Sequence, residues 1–299
     1  MKELIFLETI QKEKIWGEEQ WVISANREGD CKIRNEIWSG KTLSQLWDEH
    51  PELFGRVKKK EFPLLVKVIR AKEDLSIQVH PDDEYAKRYE KQMSGKNECW
   101  YVLDCENQAS LIVGHTASDK EELEERIRKN EWGKLLREVA VKKGDFVKID
   151  AGTLHAIKGG ITLLEVQQNA AITYRVYDYD RCENGKPREL HTEKAVDVMT
   201  VPAQRVENCV FSSGSTHKNQ VQRLGRNDSY EIFKICISEK FEMMQKFLFL
   251  IVSVVCGSGS INGTIIRGGD HFIVPFAYGN MKFEGEMEVI CSTYPCLNA

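Results

Sequence analysis

The chain has 299 residues, of which 41% are hydrophobic and 29% charged; it is a globular composition with enough length for two domains and a sizeable core. A net charge of −4 provides no field to attract nucleic acid, so an anionic substrate would need a local group of Lys and Arg. The nine cysteines form an odd set without a Cys-x-x-Cys pair, and Cys99, Cys236 and Cys256 sit inside apolar runs. That argues against a disulfide framework or a cysteine-built zinc site and fits reduced thiols.

Taken from the start, MKELIFLETIQKEKIWG has a short apolar stretch broken by Glu3 and Glu8 and does not read as a secretory signal. A helix is expected within Leu43–Leu53, capped by Thr42 or Ser44. Phe62–Ala71 (FPLLVKVIRA) reads as an apolar strand interrupted by Lys67. Leu75–His80 alternates, so Gln78 and His80 face one way while Ile77 and Val79 face the other. Asp82–Gln92 starts with acids and carries Lys and Arg later, as a helix dipole favours. Glu98–Leu103 and Ala109–Gly114 are expected strands. Ser118–Glu138 is the clearest expected helix, with an apolar stripe of Leu123, Ile127, Trp132, Leu135 and Leu136. Phe146–Ile149, Ile161–Gln167 and Ile172–Tyr177 continue the strands. Around Val201–Asn219 the chain turns polar, and strands resume from about Val221. The longest apolar run, Phe247–Cys256, is too short to span a bilayer and is rich in β-branched residues, so a buried strand is expected there. A cytoplasmic protein follows by elimination.

A weak internal repeat relates the two halves. Gly144–His155 aligns at constant offset with Gly269–Asn280: Gly-Asp on Gly-Asp, Gly152 on Ala277, His155 on Asn280. The pattern Gly144-x5-Asp150-x-Gly152-x2-His155 resembles the second cupin motif, with Asp150 where that motif has Pro. In the second copy Pro275 is present, but Asn280 stands in place of the His. The expected fold is therefore mainly β, two cupin-type β-barrels (jelly rolls) with a small helical insertion. Residues 1–205 would be a metal-binding catalytic barrel and 206–299 a C-terminal barrel without metal ligands.

The first half offers His80, Glu98 and His155 on separate strands, and imidazole with carboxylate is a common zinc set. His50, His115, His191, His217 and His271 lie in no such motif and read as structural or exposed. LSIQVHPDDEYA, GKNECWYVLD, IDAGTLHAIKGGITLLEVQ and ITYRVYDYDR, in that order, resemble the successive signatures of type I mannose-6-phosphate isomerases in their short bacterial form. The likeness covers roughly residues 10–185 well and the last third only loosely. It implies one Zn2+ held by His80, Glu98, His155 and Gln78, of which Gln78 is either a weak ligand or a neighbour that hydrogen-bonds to one. It also implies a catalytic arginine at Arg175, and it matches family lysines at Lys96 and Lys67.

Such an isomerase moves a proton between C1 and C2 of a sugar phosphate, which takes a base and a cation to stabilise charge on oxygen. Arg175 can hold an oxyanion or phosphate bidentately. Lys67 reads either as an inward substrate contact or as a residue on an exposed strand face. The base stays open between Glu165, Lys96 and a zinc-bound water, with a structural salt bridge as the plain role for Glu165. Two other readings compete: another cupin metalloenzyme, and a non-catalytic sugar-phosphate-binding protein. No membrane, nucleic-acid or protein partner is implied.

Overall fold

The computed structural model describes residues 3–183, 185–212 and 217–295; Cys296 therefore lies outside the described residues. The chain is mainly β, and among the described residues no helix is long and apolar enough to cross a membrane. Two compact units form, one from described residues within 1–10, 21–67 and 213–299, the other from 11–20 and 68–212. In this grouping residues 21–67 go with the C-terminal segment. The reason is an aromatic cluster: the rings of Trp47, Phe54 and Phe62 lie 5.1–6.4 Å from that of Phe249.

In the first unit the strands run in the order Ile5–Phe6, His271–Val274, Leu250–Ile261, Asn280–Thr293, Glu231–Met244 and Val221–Arg226. Phe233, Ile235 and Ile237 alternate inward with Leu250, Val252 and Val254, burying one face as a period of two requires. The Phe247–Cys256 run supplies one of these strands, as its composition predicts.

The second unit has two main sheets. A five-stranded sheet runs Leu136–Ala140, Ser110–His115, His155–Ile157, Ile77–Val79, Tyr174–Tyr177. The other contains Val210–Phe211, Phe146–Ile149, Glu98–Cys105 and Ile161–Gln168, with residues 68–71, 17–20 and 11–14 following in strand order. Leu111, Val113 and Ile157 of the first sheet pack with Trp100, Val102, Val147 and Leu163 of the second. The opposite face of the five-stranded sheet, with Ile77, Val79, Ala156, Tyr174 and Val176, is covered by Leu123, Ile127 and Ala195 of the helices. Each sheet keeps two edges, and no closed ring of paired strands occurs among the described residues.

The helix expected over 118–138 is shorter. It spans Lys120–Arg128, with Asp119 accepting from the Glu122 amide. Asn130 then turns left-handed, a one-turn helix covers Trp132–Leu135, and Leu136–Ala140 becomes an edge strand on Ser110–His115. Leu123 and Ile127 do form the buried stripe; strand pairing takes the C-terminal end away from the helix. A helix at Thr192–Val198, unmarked by periodicity, packs with it.

Candidate metal and substrate site

The site lies within the second unit. Strand register sets the first row: His155 pairs with Gln78, and Gln78 with Arg175. Directly paired residues share a face, so these three side chains leave the sheet opposite to buried Ile77 and Val79. His80, two residues after Gln78, shares that face. On the other sheet Glu98 sits between Ile149 and Gln167.

Two glycines bring the segments together. At Gly95 an added Cβ would stand 2.4 Å from the Pro81 carbonyl oxygen. Its absence lets the Lys96 amide reach that oxygen at 3.0 Å, next to His80. Gly152, at φ +86°, donates its amide to the His80 carbonyl at 2.9 Å and turns the chain into His155.

His80 and His155 are wholly buried with Glu98. His80 Nδ1 lies 2.8 Å from the Ile172 carbonyl oxygen, and His155 Nδ1 lies 2.8 Å from that of Thr153. A carbonyl only accepts, so both Nδ1 atoms carry the proton and both Nε2 atoms present a lone pair. These lone pairs face Glu98, at 3.5 Å from Oε2 for His80 and 3.3 Å from Oε1 for His155. Burial holds the His155 imidazole well below its usual range, at about 4, with Lys96 pushing the same way. It is therefore neutral, the form that binds a metal. Candidate ligand atoms of His80, Glu98 and His155 all lie within 4.8 Å of one another, and this is the one such group of three His, Cys, Asp or Glu among the described residues. Two oriented imidazoles and a carboxylate fit a divalent cation.

Gln78 reaches the same place, its amide nitrogen 3.4 Å from His155 Nε2. Lys96 Nζ sits 2.7 Å from Glu98 Oε2 and 3.1 Å from His80 Nε2. Glu165 is buried and accepts from Trp100 Nε1 at 3.3 Å; the Trp100 ring is 5.5 Å from that of His155. Arg175 is half-buried on the edge strand, and one guanidinium N–H donates to the Glu189 carbonyl at 2.7 Å. Lys67 belongs to the other unit. It is buried rather than exposed, with its ammonium 5.3 Å from the Trp21 ring centre.

Two neighbours were not singled out from the sequence. Gln167 pairs with Glu98 across the sheet; its amide nitrogen is fixed by the Gln168 and Ala170 carbonyls at 2.8 Å. His191 bonds to Arg175. Gln167 closes the segment IDAGTLHAIKGGITLLEVQ and His191 lies outside any motif; the register and the return of the chain bring them near. His115, by contrast, is structural: its Nε2 bonds the Thr200 carbonyl oxygen. In the second repeat copy, Asn280 donates to Glu242 and His271 Nδ1 meets Ser253 Oγ at 2.8 Å.

A buried His–Glu–His set between the sheets of a β unit defines a protein with a candidate metal centre inside a β fold. The comparisons narrow that class. Residues 6–111 match the model of the type I phosphomannose isomerase catalytic domain, and 224–294 that of the mannose-6-phosphate isomerase cupin domain. The Bacillus subtilis mannose-6-phosphate isomerase ManA is 40% identical, over 97% of this chain and 98% of its own. A crystal structure of the mannose 6-phosphate isomerase from Bacillus subtilis, 40% identical, superposes with a TM-score of 0.90, covering 97% of this chain and 99% of the other. Mannose 6-phosphate isomerase from Salmonella typhimurium, at 13% identity, shares the fold with a TM-score of 0.77 over 99% of this chain and 100% of its own. The chain belongs to the type I mannose-6-phosphate isomerase family, and it is an isomerase.

Proposed function

We propose that this enzyme interconverts mannose 6-phosphate and fructose 6-phosphate through an enediol-type intermediate, using one zinc ion held by His80, Glu98 and His155 with Gln78 beside them. The observation that carries this reading is the buried cluster itself, with both imidazoles turned by backbone carbonyls to aim Nε2 at the Glu98 carboxylate. When bound, the zinc ion supplies Lewis acidity to the sugar oxygens at C1 and C2. Lys96, against Glu98 and His80, is suited to hold or donate a proton at a sugar oxygen. For the base that takes the proton from carbon we take Glu165, buried near His155, ahead of Lys96 and a zinc-bound water. Arg175 stabilises negative charge on the substrate, and Lys67 is a further candidate contact for it.

We assign the catalytic machinery to residues 1–205 and read 206–299 as a cupin-like half with no metal-ligand cluster among its described residues; both halves read as cupin-type barrels opened at their edges. The eight described cysteines are free thiols, which suits residence in the cytoplasm. A coupled assay for fructose 6-phosphate formed from mannose 6-phosphate, with and without chelator, tests the reading. Activity should vanish on chelation and return with Zn2+. His80→Ala and His155→Ala proteins should lose the ion by elemental analysis; full occupancy in a folded double variant would refute the ligand assignment.

A further inference from the structure

The strand Tyr174–Tyr177 is the last of its sheet, so one side of its backbone has no neighbouring strand. At residue 175 that side is met by His191. The His191 amide donates to the Arg175 carbonyl at 2.7 Å, and the Arg175 amide donates to His191 Nδ1 at 3.3 Å. A ring nitrogen thus takes the place that a carbonyl oxygen would hold in a further strand. Two residues earlier, the Glu189 carbonyl accepts from the Arg175 guanidinium at 2.7 Å. Between Arg175 and Tyr177 the pairing register shifts, so pairing with Gln78 sets the face from which Arg175 leaves the sheet, while the aim of its long side chain is left to other contacts. Segment 189–191 grips Arg175 at amide, carbonyl and guanidinium together.

We propose that His191 is a positioning residue for the isomerisation, holding Arg175 in its working orientation through this paired backbone clasp. The inference rests on the reading of Arg175 as the substrate's charge-stabilising group. The clasp needs the neutral ring, because protonation turns Nδ1 from acceptor into donor. The groups facing His191 are Glu189 on its own segment, Arg175 on the strand, Lys194 on the following helix, and Glu90 with the Tyr174 phenol beyond it. Burial keeps the ring's affinity for a proton below the ordinary imidazole value; Arg175 and Lys194 act the same way, and Glu189 and Glu90 oppose. The ring is neutral at neutral pH, and acid opens the clasp.

The test uses metal-loaded enzyme, with metal content and thermal melting recorded for each variant. His191→Asn places an amide oxygen near the position of Nδ1 and does not titrate. It should keep kcat within about threefold of wild type at neutral pH and hold it further into acid. His191→Phe keeps the bulk but not the acceptor, and should lower kcat by about 10- to 100-fold with metal retained, the scale of a small misplacement of a reacting group. In an Arg175→Ala background His191→Phe should add nothing. Wild-type turnover in His191→Phe, with Arg175→Ala inactive, would overturn the inference alone, as would a full further loss in the double variant. Wild-type turnover in Arg175→Ala would overturn the arginine reading and this one with it. Should the Phe protein not fold, an acid limb in His191→Asn identical to wild type also overturns the inference.

Discussion

Among single residues, Arg175 separates a catalytic role from a structural one most cleanly. Its side chain leaves the sheet on the face of Gln78 and His155, and burial with the nearby Arg188 charge disfavours its protonated form. An uncompensated guanidinium is costly there unless an anion repays it. We expect Arg175→Ala to keep fold and metal but lose kcat by roughly 10²–10³, the usual effect of deleting one charge-stabilising donor. Arg175→Lys should recover little, because an ammonium cannot reproduce the planar fork. Steady-state kinetics on metal-replete protein decides, and near-wild-type turnover would remove Arg175 from the catalytic set. His80, Glu98 and His155, which the fold brings together, each sit in a short motif and could be picked out from the sequence. The approach of His191 to Arg175 could not, since it depends on a chain return sixteen residues later that no local pattern encodes.

For the elements, the repeat is visible in hydrogen bonding. Asp145 accepts from the Lys142 amide at 2.9 Å and Asp270 from the Arg267 amide at 2.8 Å. Gly144 and Gly269 adopt φ of +90° and +92°, and Gly152 and Ala277 are both left-handed. His155 and Asn280 then each open a strand. The same turn–strand–turn frame thus carries a candidate metal ligand in one copy and none in the other. The second copy has its own histidine, half-buried in surface terms: desolvation pushes His271 down to about 4. An unfolded histidine takes up its proton near pH 6.5, so as pH falls from about 6.5 toward 4 the unfolded state gains protons that the folded state does not, and stability declines. Metal-free protein should therefore melt at progressively lower temperature across that window, with His155 contributing in the same direction. His271→Asn, which can still meet Ser253, should flatten the curve. An unchanged slope would show that His271 is freely protonated in the folded protein.

At the scale of the whole molecule, the notable feature is that each compact unit is assembled from separated stretches of chain. Residues 21–67 join the C-terminal strands because Trp47, Phe54, Phe62 and Phe249 interlock through four edge-to-face pairs. Phe249 is fully buried, and Phe249→Ala should cost about 3–5 kcal/mol through lost burial and the cavity left behind. Ile265, 77% exposed on a short hairpin strand, is the control: Ile265→Ala should change stability by no more than about 0.5 kcal/mol. Urea midpoints for the two variants give the comparison, and equal effects would mean that the aromatic cluster does not hold these segments together.

The sequence by itself determined the β class, the inward and outward faces of the strands, the ligand types and the repeated turns, because period-two alternation and glycine punctuation are local properties of a chain. Tertiary structure alone decided which strands pair, that the expected helix stops at Arg128 so that Leu136 can join a sheet edge, and that Lys96 lies against Glu98 and His80. It also decided that Lys67 is buried beside Trp21 and that His191 clasps Arg175. Alternation says which side of a strand a residue occupies but not which strand lies next to it. That choice is made by contacts between residues far apart in sequence, where register and side-chain packing are settled together.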